Sequence, residues 1–145
     1  MVKNYDRTDL YFTRRGDYTI GVDGDILDTS DDPLRSLVQE CRSRLQSDKG
    51  DWVIYPGLGA DLSQLIGEPN DKITAEGLKA KVIASLNQFG LVDTRDLSIS
   101  YMPIGPSSIL LRLAIQVAST DENYLTESLK IQILYNYTDN NIHIL

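Results

Sequence analysis

The spacing of apolar residues changes once along this chain, from the helical period of about 3.6 residues to the strand period of 2. Before position 90, two segments carry apolar residues on one helical face, and after position 96 three segments alternate apolar and polar residues. Helices that precede a run of strands are typical of an α+β domain. We therefore expect two main helices, plus a short one, packed on a mostly antiparallel C-terminal sheet.

A first helix is predicted from about Pro33, because Asp31 or Asp32 can cap its N-terminus and proline fits a first helical turn. Its apolar residues recur on one face, and these are Leu34, Leu37, Val38, Cys41 and Leu45. Its polar residues fall largely on the other faces, and these are Arg35, Glu40, Arg42, Arg44 and Gln46. The cysteine on the apolar face is interpreted as a small core residue rather than as a nucleophile.

Several turn signals separate this helix from the next one. Residues 52–55 are predicted as a short strand or extended segment, which the Pro56-Gly57 pair stops. A short helix is then expected to end at Gly67, and residues 68–71 are expected to form a loop.

A second long helix follows, with Thr74 as its predicted N-cap. Its apolar residues recur at helical spacing, which predicts a buried stripe of Leu78, Val82, Leu86 and Phe89. Gly90 supplies a C-terminal stop, because glycine accepts the left-handed conformation that ends many helices.

Three alternating segments make up the C-terminal part, and each presents one apolar face. Their apolar residues are Leu97, Ile99 and Tyr101, then Leu111, Leu113, Ile115 and Val117, and finally Leu129, Ile131, Ile133, Tyr135 and Tyr137. The close spacing of the segments predicts an antiparallel meander, to which residues 142–145 can add a short terminal strand. Residues 31–145 are thus predicted to form a single α+β domain.

Residues 1–30 are predicted to form an extended N-terminal arm or a hairpin. Residues 10–13 and 18–20 have strand-like composition, and the residues between them can close a hairpin. The aspartates at 23–32 resemble a calcium-binding loop only loosely, because Leu27 stands where a ligand is expected and no glutamate closes the loop. We interpret them as a solvated turn and a helix cap.

Composition narrows the possible function classes. The 14 basic and 21 acidic residues leave a formal net charge of −7, which argues against nucleic acid as a partner. One cysteine cannot form an intrachain disulfide, and one histidine beside it cannot build the usual zinc sites. No stretch reaches the roughly 20 apolar residues that cross a bilayer, and no signal peptide is recognisable. We expect no metal, no cofactor, no membrane contact and synthesis in a reducing cytoplasm.

One enzymatic alternative comes from the acidic residues. Glu68 follows Leu65-Ile66-Gly67, which could desolvate it and keep it protonated near neutral pH, as the acid of a glycosidase must be. Asp61 would then be its partner carboxylate. These two residues define a peptidoglycan hydrolase as the alternative function.

Several motifs follow one another in a fixed order between residues 30 and 118. A capped helix opens at Asp32, and a Gly-Asp-aromatic turn lies at 50–52. A Pro-x-x-Gly-x-x-Leu segment then covers 56–62, before Glu68-Pro69. This ordered set resembles the small baseplate wedge, or sheath-initiator, family of contractile phage tails and contractile injection systems. The family's Glu-Pro-Arg motif reads Glu68-Pro69-Asn70 here, with a neutral amide in place of a guanidinium.

The resemblance implies a structural virion protein of the tail baseplate, made in the host cytoplasm and without enzymatic activity. Family members lie where the wedges meet the tail tube and sheath, and they start sheath assembly by accepting strands from the first sheath ring. The implied partners are other wedge subunits and the tail sheath protein, with tail tube or hub proteins as further candidates. Another tail-completion or connector protein is the structural alternative. Some relatives carry a lysozyme-like label, which the residues here do not support.

The resemblance also implies residues that bind partners. Glu68 and Pro69 are expected to contact neighbouring wedge subunits. The further residues expected to bind partners are Asn70, Pro56, Gly59, Ile131, Ile133 and Tyr135. Strands 109–118 and 128–137 are expected to carry the sheath contact, because unpaired backbone groups at a sheet edge can pair with an added strand. Lys72 or a partner residue would have to supply the charge that Asn70 lacks.

Overall fold

The computed structural model describes residues 8–13, 15–106, 108–117, 127–136 and 141–144, with the backbone alone for Pro33, Leu34, Val117 and the last two ranges. Two α-helices come first, α1 (Pro33–Gln46) and α2 (Lys72–Asn87). Four strands follow, β1 (Leu97–Pro103), β2 (Ser108–Val117), β3 (Glu127–Asn136) and β4 (Asn141–Ile144). Short 3₁₀ turns occupy Leu62–Leu65, Gln88–Gly90 and Thr94–Asp96. The predicted α+β class is confirmed.

The four strands form one antiparallel meander in the order β1-β2-β3-β4. Leu113 of β2 lies opposite Ile99 of β1 and Ile131 of β3, so the apolar positions of the three strands are in register. β4 is the short terminal strand that the sequence predicts. Tyr137 and Leu145, which are predicted as strand residues, lie outside the described residues.

One hydrophobic core lies between the helices and the sheet, where α2 packs near β1 and α1 near β4. β2 contributes four residues that are at most 2% exposed, namely Ile109, Leu111, Leu113 and Ile115. The helices contribute Leu37, Cys41, Leu45, Leu78, Val82 and Leu86. Arg112 and Gln116 of β2 are exposed, as the alternation predicts. Full burial of a large apolar side chain stabilises a fold by about 1.5–3 kcal/mol.

Arg44 is buried, so its predicted place on the polar faces of α1 is wrong. The guanidinium reaches the C-terminal end of α2, where it donates to the carbonyls of Gln88 at 2.5 Å and Ser85 at 3.3 Å. Its other terminal nitrogen pairs with Glu40 at 2.6 Å. Carbonyls at a helix end lack partners within the helix, so Arg44 supplies a cap from the neighbouring helix.

The N-terminus of α2 is capped by Asp71, and the predicted Thr74 cap is wrong. The Asp71 carboxylate accepts a hydrogen bond from the N–H of Thr74 at 2.8 Å, and the helix begins at Lys72. Thr74 is buried in the first turn. Aspartate and threonine are both favoured N-caps, so residue type alone does not choose between them.

The buried stripe of α2 stops at Leu86, because Phe89 is 69% exposed. The helix ends at Asn87, and Phe89 then adopts a φ of 58° in the left-handed region. Gly90 is left-handed as well, in agreement with its predicted role as a stop. The chain therefore leaves the helix before Phe89 can reach the core.

Residues 52–55 form a bent loop rather than a strand. The N–H of Gly50 donates to the carbonyl of Pro56 at 2.8 Å, which closes the loop. The β-branched and aromatic composition predicted a strand, but no described strand pairs with this segment. The short helix predicted after it is a single 3₁₀ turn, Leu62–Leu65.

The described part of the N-terminal segment is held by isolated antiparallel bridges between residue pairs 10 and 28, 12 and 18, and 20 and 26. The side chain of Gln39 on α1 anchors it, because its amide accepts from the N–H of Phe12 and donates to the carbonyl of Leu10, both at 2.9 Å. Residues 1–7 and Arg14 lie outside the described residues. The division at residue 30 stays a prediction. Among the described helices, none is long and apolar enough to cross a lipid bilayer.

Candidate functional site

The Glu68-Pro69-Asn70 turn is tied to one end of the sheet. The Asn70 side-chain nitrogen donates to the carbonyl of Gly105 at 3.0 Å and to that of Ser108 at 3.3 Å, where β1 connects to β2. Glu68 and Pro69 are exposed, whereas Asn70 is half-buried. The structure thus brings the three predicted residues together, with two of them facing outward.

Asn70 explains how this turn is held without the arginine of the resembled family. A carboxamide nitrogen carries two donors, and here it meets two main-chain carbonyls. Lys72, the residue expected to supply the missing charge, lines the neighbouring pocket. The neutral amide of Asn70 therefore anchors the turn, and the positively charged Lys72 lies two residues further along the chain.

A pocket of about 240 Å³ opens between this turn, the N-terminus of α2 and the sheet. Lys72, Ala75, Tyr101, Pro103 and Ile109 are among the residues that line it. The Tyr101 hydroxyl lies 3.1 Å from a carboxylate oxygen of Glu76. Partial desolvation and the nearby Glu76 raise the pKa of Tyr101, so its hydroxyl remains a donor to that carboxylate. Apolar walls with few polar groups are typical of a binding pocket.

Among the described strands, β1 is an edge strand of the sheet. It pairs with β2, and no other strand of the described residues lies against it. Opposite residues of two antiparallel strands alternate between pairs that share backbone hydrogen bonds and pairs that do not. The N–H of Ile104 donates to the carbonyl of Ser108 at 2.8 Å, so residues 104 and 108 are a hydrogen-bonded pair. The even-numbered residues of β1 therefore bond to β2, while the odd-numbered residues from Leu97 to Tyr101 direct their N–H and C=O groups to the open edge.

Residues 109–115 of β2 have no free edge, so an added strand cannot pair with this part of the strand. Its residues 109–115 pair with β1 on one side and with β3 on the other. Within the expected sheath contact of residues 109–118, residues 109–115 therefore offer no unpaired backbone groups to an added strand, and the contact itself stays a prediction. Among the described strands, the two at the edges of the sheet are β1 and β4.

Ile131, Ile133 and Tyr135 lie on β3, each opposite a buried residue of β2. β4 pairs with residues 133–136 from the other side, so Ile133 and Tyr135 belong to an interior part of the sheet. Ile131 lies before the residues that pair with β4. The contact of all three residues with the sheath stays a prediction.

Pro56 and Gly59 shape the loop between α1 and the first 3₁₀ turn. Gly59 has a φ of 141°, and a Cβ there would lie 2.6 Å from the carbonyl carbon of Asp48. This conformation and this approach are open only to glycine. Gly59 is buried and Pro56 is exposed. Of the two predicted contact residues, Pro56 is therefore the one that a partner can reach.

A second exposed feature was missed by the sequence interpretation. The side chains of residues 52–55 face solvent, and Val53 is 93% exposed. The rings of Tyr55 and Phe89 lie 6.4 Å apart in an edge-on arrangement. A strand would have buried alternate residues of this segment. The signal that could have found it is four consecutive apolar residues between two turn signals.

Asp61 and Glu68 do not form the desolvated acid pair that a hydrolase needs. Asp61 accepts a hydrogen bond from the N–H of Lys49 at 2.6 Å, and the Lys49 ammonium is 3.8 Å away. Glu68 is exposed, so the desolvation expected from Leu65, Ile66 and Gly67 is missing. The carboxylates of a glycosidase must flank one cleft, and neither residue lines the pocket beside α2.

Cys41 lies in the core, away from these surfaces. Its thiol is free and fully buried, and burial raises the pKa of Cys41 to about 12. Because the thiolate is the reactive form, such a side chain is a poor nucleophile at neutral pH.

The aspartates at 23–32 form turns. Asp28 accepts hydrogen bonds from the N–H and hydroxyl of Ser30, and these bonds lower the pKa of Asp28. Asp23 accepts from the N–H of Asp25 at 3.2 Å. Within the ranges that the structure describes, no group of three or more His, Cys, Asp or Glu side chains could hold a metal ion.

Neither a model of a known protein family nor a curated protein sequence matches this chain. Its function has to be inferred from its own residues, from their geometry and from the ordered motifs of the sequence.

Proposed function

We propose that this chain is a structural subunit of a contractile-tail baseplate, which joins wedges and starts the tail sheath without catalysing a reaction. It would be made in the host cytoplasm and reside in the baseplate of the assembled particle. Its proposed partners are other wedge subunits and the tail sheath protein, with tail tube or hub proteins as further candidates. Neither nucleic acid nor a membrane is among its proposed partners.

The observation that carries this proposal is the position of the Glu68-Pro69-Asn70 turn next to the open edge of β1. Asn70 bonds to the connection that follows β1, and Tyr101 and Pro103 of β1 line the pocket beside the turn. The motif that the resemblance assigns to wedge contacts and a strand edge suited to pairing therefore lie side by side. One end of the domain combines both kinds of contact.

This arrangement can supply affinity and register together. The odd-numbered residues of β1 offer backbone donors and acceptors to an added strand. Backbone hydrogen bonds of this kind give affinity but no sequence specificity. The adjoining pocket can take a side chain of the incoming segment, which would fix its register. The exposed Glu68 adds a charge at the rim, where charges steer and orient a partner more than they hold it.

Particles assembled with substituted chains test the proposal. Glu68→Lys combined with Pro69→Ala changes both exposed residues of the turn and leaves Asn70 in place. We expect the purified variant to keep the wild-type melting temperature, because both positions are exposed. In electron micrographs, we expect the fraction of particles with sheathed tails to fall by about tenfold or more.

Ala80→Lys is the matched control, because it puts a lysine on an exposed position of α2. We expect normal sheathed tails from this variant. Normal sheathed tails from the double variant at Glu68 and Pro69 would contradict the proposed contact.

A purified-protein assay on peptidoglycan separates the proposal from the hydrolase alternative. We expect no release of soluble cell-wall fragments by the wild-type chain. Release that Glu68→Gln abolishes would overturn the proposal and establish the enzyme.

A further inference from the structure

Residues 52–55 and Phe89 form one exposed apolar surface, here named the apolar loop surface. Its side chains are between 44% exposed, at Trp52, and 93% exposed, at Val53. The edge-on contact of Tyr55 and Phe89 makes it continuous from the loop to the end of α2. Exposed apolar residues are ordinary when scattered, but a contiguous group is typical of a protein interaction site. Tryptophan and tyrosine often dominate the binding energy of such sites.

Hydrogen bonds hold the apolar loop surface in place before a partner binds. The indole N–H of Trp52 donates to the hydroxyl of Ser47 at 2.9 Å. The side-chain amide of Gln88 donates to the carbonyl of Gly57 at 2.8 Å, which ties the loop to the end of α2. A preformed surface binds more tightly than a flexible loop of the same composition, because less conformational entropy is lost on binding.

Phe89 adds a strained backbone to this surface. Its φ of 58° lies in the left-handed region, which bulky residues rarely adopt. The conformation directs the ring toward Tyr55, and 69% of the residue remains exposed. Strained backbone positions of this kind cluster at functional sites.

The loop that carries the apolar loop surface has a net negative charge. Asp51 is exposed next to Trp52, and its carboxylate accepts from the N–H of Asp48, a second aspartate at the base of the loop. Lys49 is the one basic residue of this loop, and its ammonium lies 3.8 Å from the Asp61 carboxylate. The Asp61 carboxylate therefore offsets the positive charge of Lys49, which leaves Asp48 and Asp51 as the net charge of the loop. An apolar partner with basic flanks complements this pattern.

We infer that the apolar loop surface docks a segment of another protein that presents apolar side chains flanked by lysine or arginine. A second copy of this chain fits poorly, because a two-fold interface would place the two aspartates of one copy near the same aspartates of the other. Each copy also has a net charge of −7, so the two copies would repel each other. Anionic lipid headgroups fit poorly for the same reason. The surface lies at the C-terminal end of α2, a 16-residue helix about 24 Å long, and the Glu68–Pro69 turn lies at the other end. The inference therefore does not rest on the proposed function.

A yeast-displayed peptide library of apolar, basic and acidic residues, sorted on the purified full chain, tests this inference. Val53→Ser with Ile54→Ser removes the two most exposed side chains of the surface. Ile73→Ser is the matched control, because Ile73 is 83% exposed near the other end of α2. Trp52 is the only tryptophan of the chain, so its fluorescence reports contact with the loop.

We expect the selected peptides to combine aromatic or aliphatic residues with lysine or arginine and to shift the Trp52 emission to shorter wavelength. We expect them to bind the double serine variant about tenfold or more weakly, and to bind Ile73→Ser like the wild type. Selected peptides that are acidic, peptides that bind the double variant equally well, or a selection without enrichment would overturn the inference.

Two further measurements assign other occupants if the inference is wrong. Dimerisation in sedimentation experiments that the double serine variant abolishes would assign the surface to a second copy. A shift of Trp52 emission with neutral phosphatidylcholine vesicles would assign it to lipid. We expect neither result.

Discussion

The side-chain amide of Asn70 donates a hydrogen bond to the carbonyl of Gly105 at 3.0 Å, across 35 positions of the sequence. The bond joins the turn before α2 to the connection between β1 and β2. Asn70 is the half-buried residue of its turn, so its contacts set where the exposed Glu68 and Pro69 stand relative to the edge strand. The geometry of the candidate site therefore depends on one neutral donor.

Asn70→Ala should lower the free energy of unfolding by about 1 kcal/mol, because it removes a partly buried donor from two carbonyls. Urea denaturation measures the change. Asn87→Ala is the control, since its amide bonds to Thr94 at an exposed position and its loss should cost less than about 0.5 kcal/mol. Equal losses from the two variants would show that Asn70 does not anchor the turn.

Gly59→Ala should destabilise the protein by about 3 kcal/mol or more, because the new Cβ would meet the backbone of Asp48 and the φ of 141° is strained for alanine. Gly57→Ala is the matched control, since a Cβ there meets only the Gln88 side chain at 3.6 Å. Its effect should stay within about 1 kcal/mol. Thermal denaturation compares the two, and a tolerated Gly59→Ala would contradict the described loop.

Arg44→Met should destabilise the protein by about 3 kcal/mol, because it removes a buried cation from two carbonyls at the end of α2 and from Glu40. Arg35→Met removes a half-exposed arginine 3.4 Å from Asp32 and should cost less than about 0.5 kcal/mol. Denaturant unfolding gives both values. Faster amide exchange at the C-terminus of α2 should accompany the first change alone.

Local periodicity was enough to predict the helices, the meander and most of the core. Leu37, Cys41 and Leu45 repeat at helical spacing, so burial of that face follows from the pattern alone. Arg44 lies seven residues after Leu37, on the same face of α1, and its exposure was predicted only because it is charged. Its burial depends on the carbonyls at the end of α2, which lie within hydrogen-bonding distance. The distance between the Arg44 guanidinium and the Gln88 carbonyl cannot be predicted from the spacing of residues along the sequence.

The candidate site was only half predictable for the same reason. The Glu68-Pro69-Asn70 motif could be found by its residue types, but the carbonyls that Asn70 meets lie far along the chain. Phe89 continued an apolar stripe in the sequence, and one left-handed backbone angle moved it to the surface. The loop at 52–55 looked like a strand because composition does not reveal whether a pairing strand is near.

Cys41 should make stability depend on alkaline pH. Burial raises the pKa of its thiol from 9.0 to about 12, so between these values the unfolded chain releases a proton that the folded chain keeps. This contribution is fully present below pH 9 and is lost as pH rises toward 12. Relative to Cys41→Ala, the free energy of unfolding should fall by up to about 1.4 kcal/mol per pH unit above pH 9.

Urea denaturation of the wild type and Cys41→Ala at pH 8, 9 and 10 checks this difference. These pH values span the pKa of a cysteine thiol in an unfolded chain, which is about 8.5–9. The comparison cancels the titration of lysines and tyrosines common to both chains. A constant difference, or rapid labelling of the native thiol by Ellman's reagent at pH 8, would contradict the described burial.

Electron cryo-microscopy of contractile-tailed particles purified from cells that make this chain tests the central claim most directly. We predict density for α1, α2 and the four-stranded sheet in each wedge of the baseplate, with Glu68 and Pro69 against another wedge subunit and a sheath strand paired along an open sheet edge. Density for the chain outside the wedges would support the connector alternative and contradict the proposal, as would its absence from the purified particle.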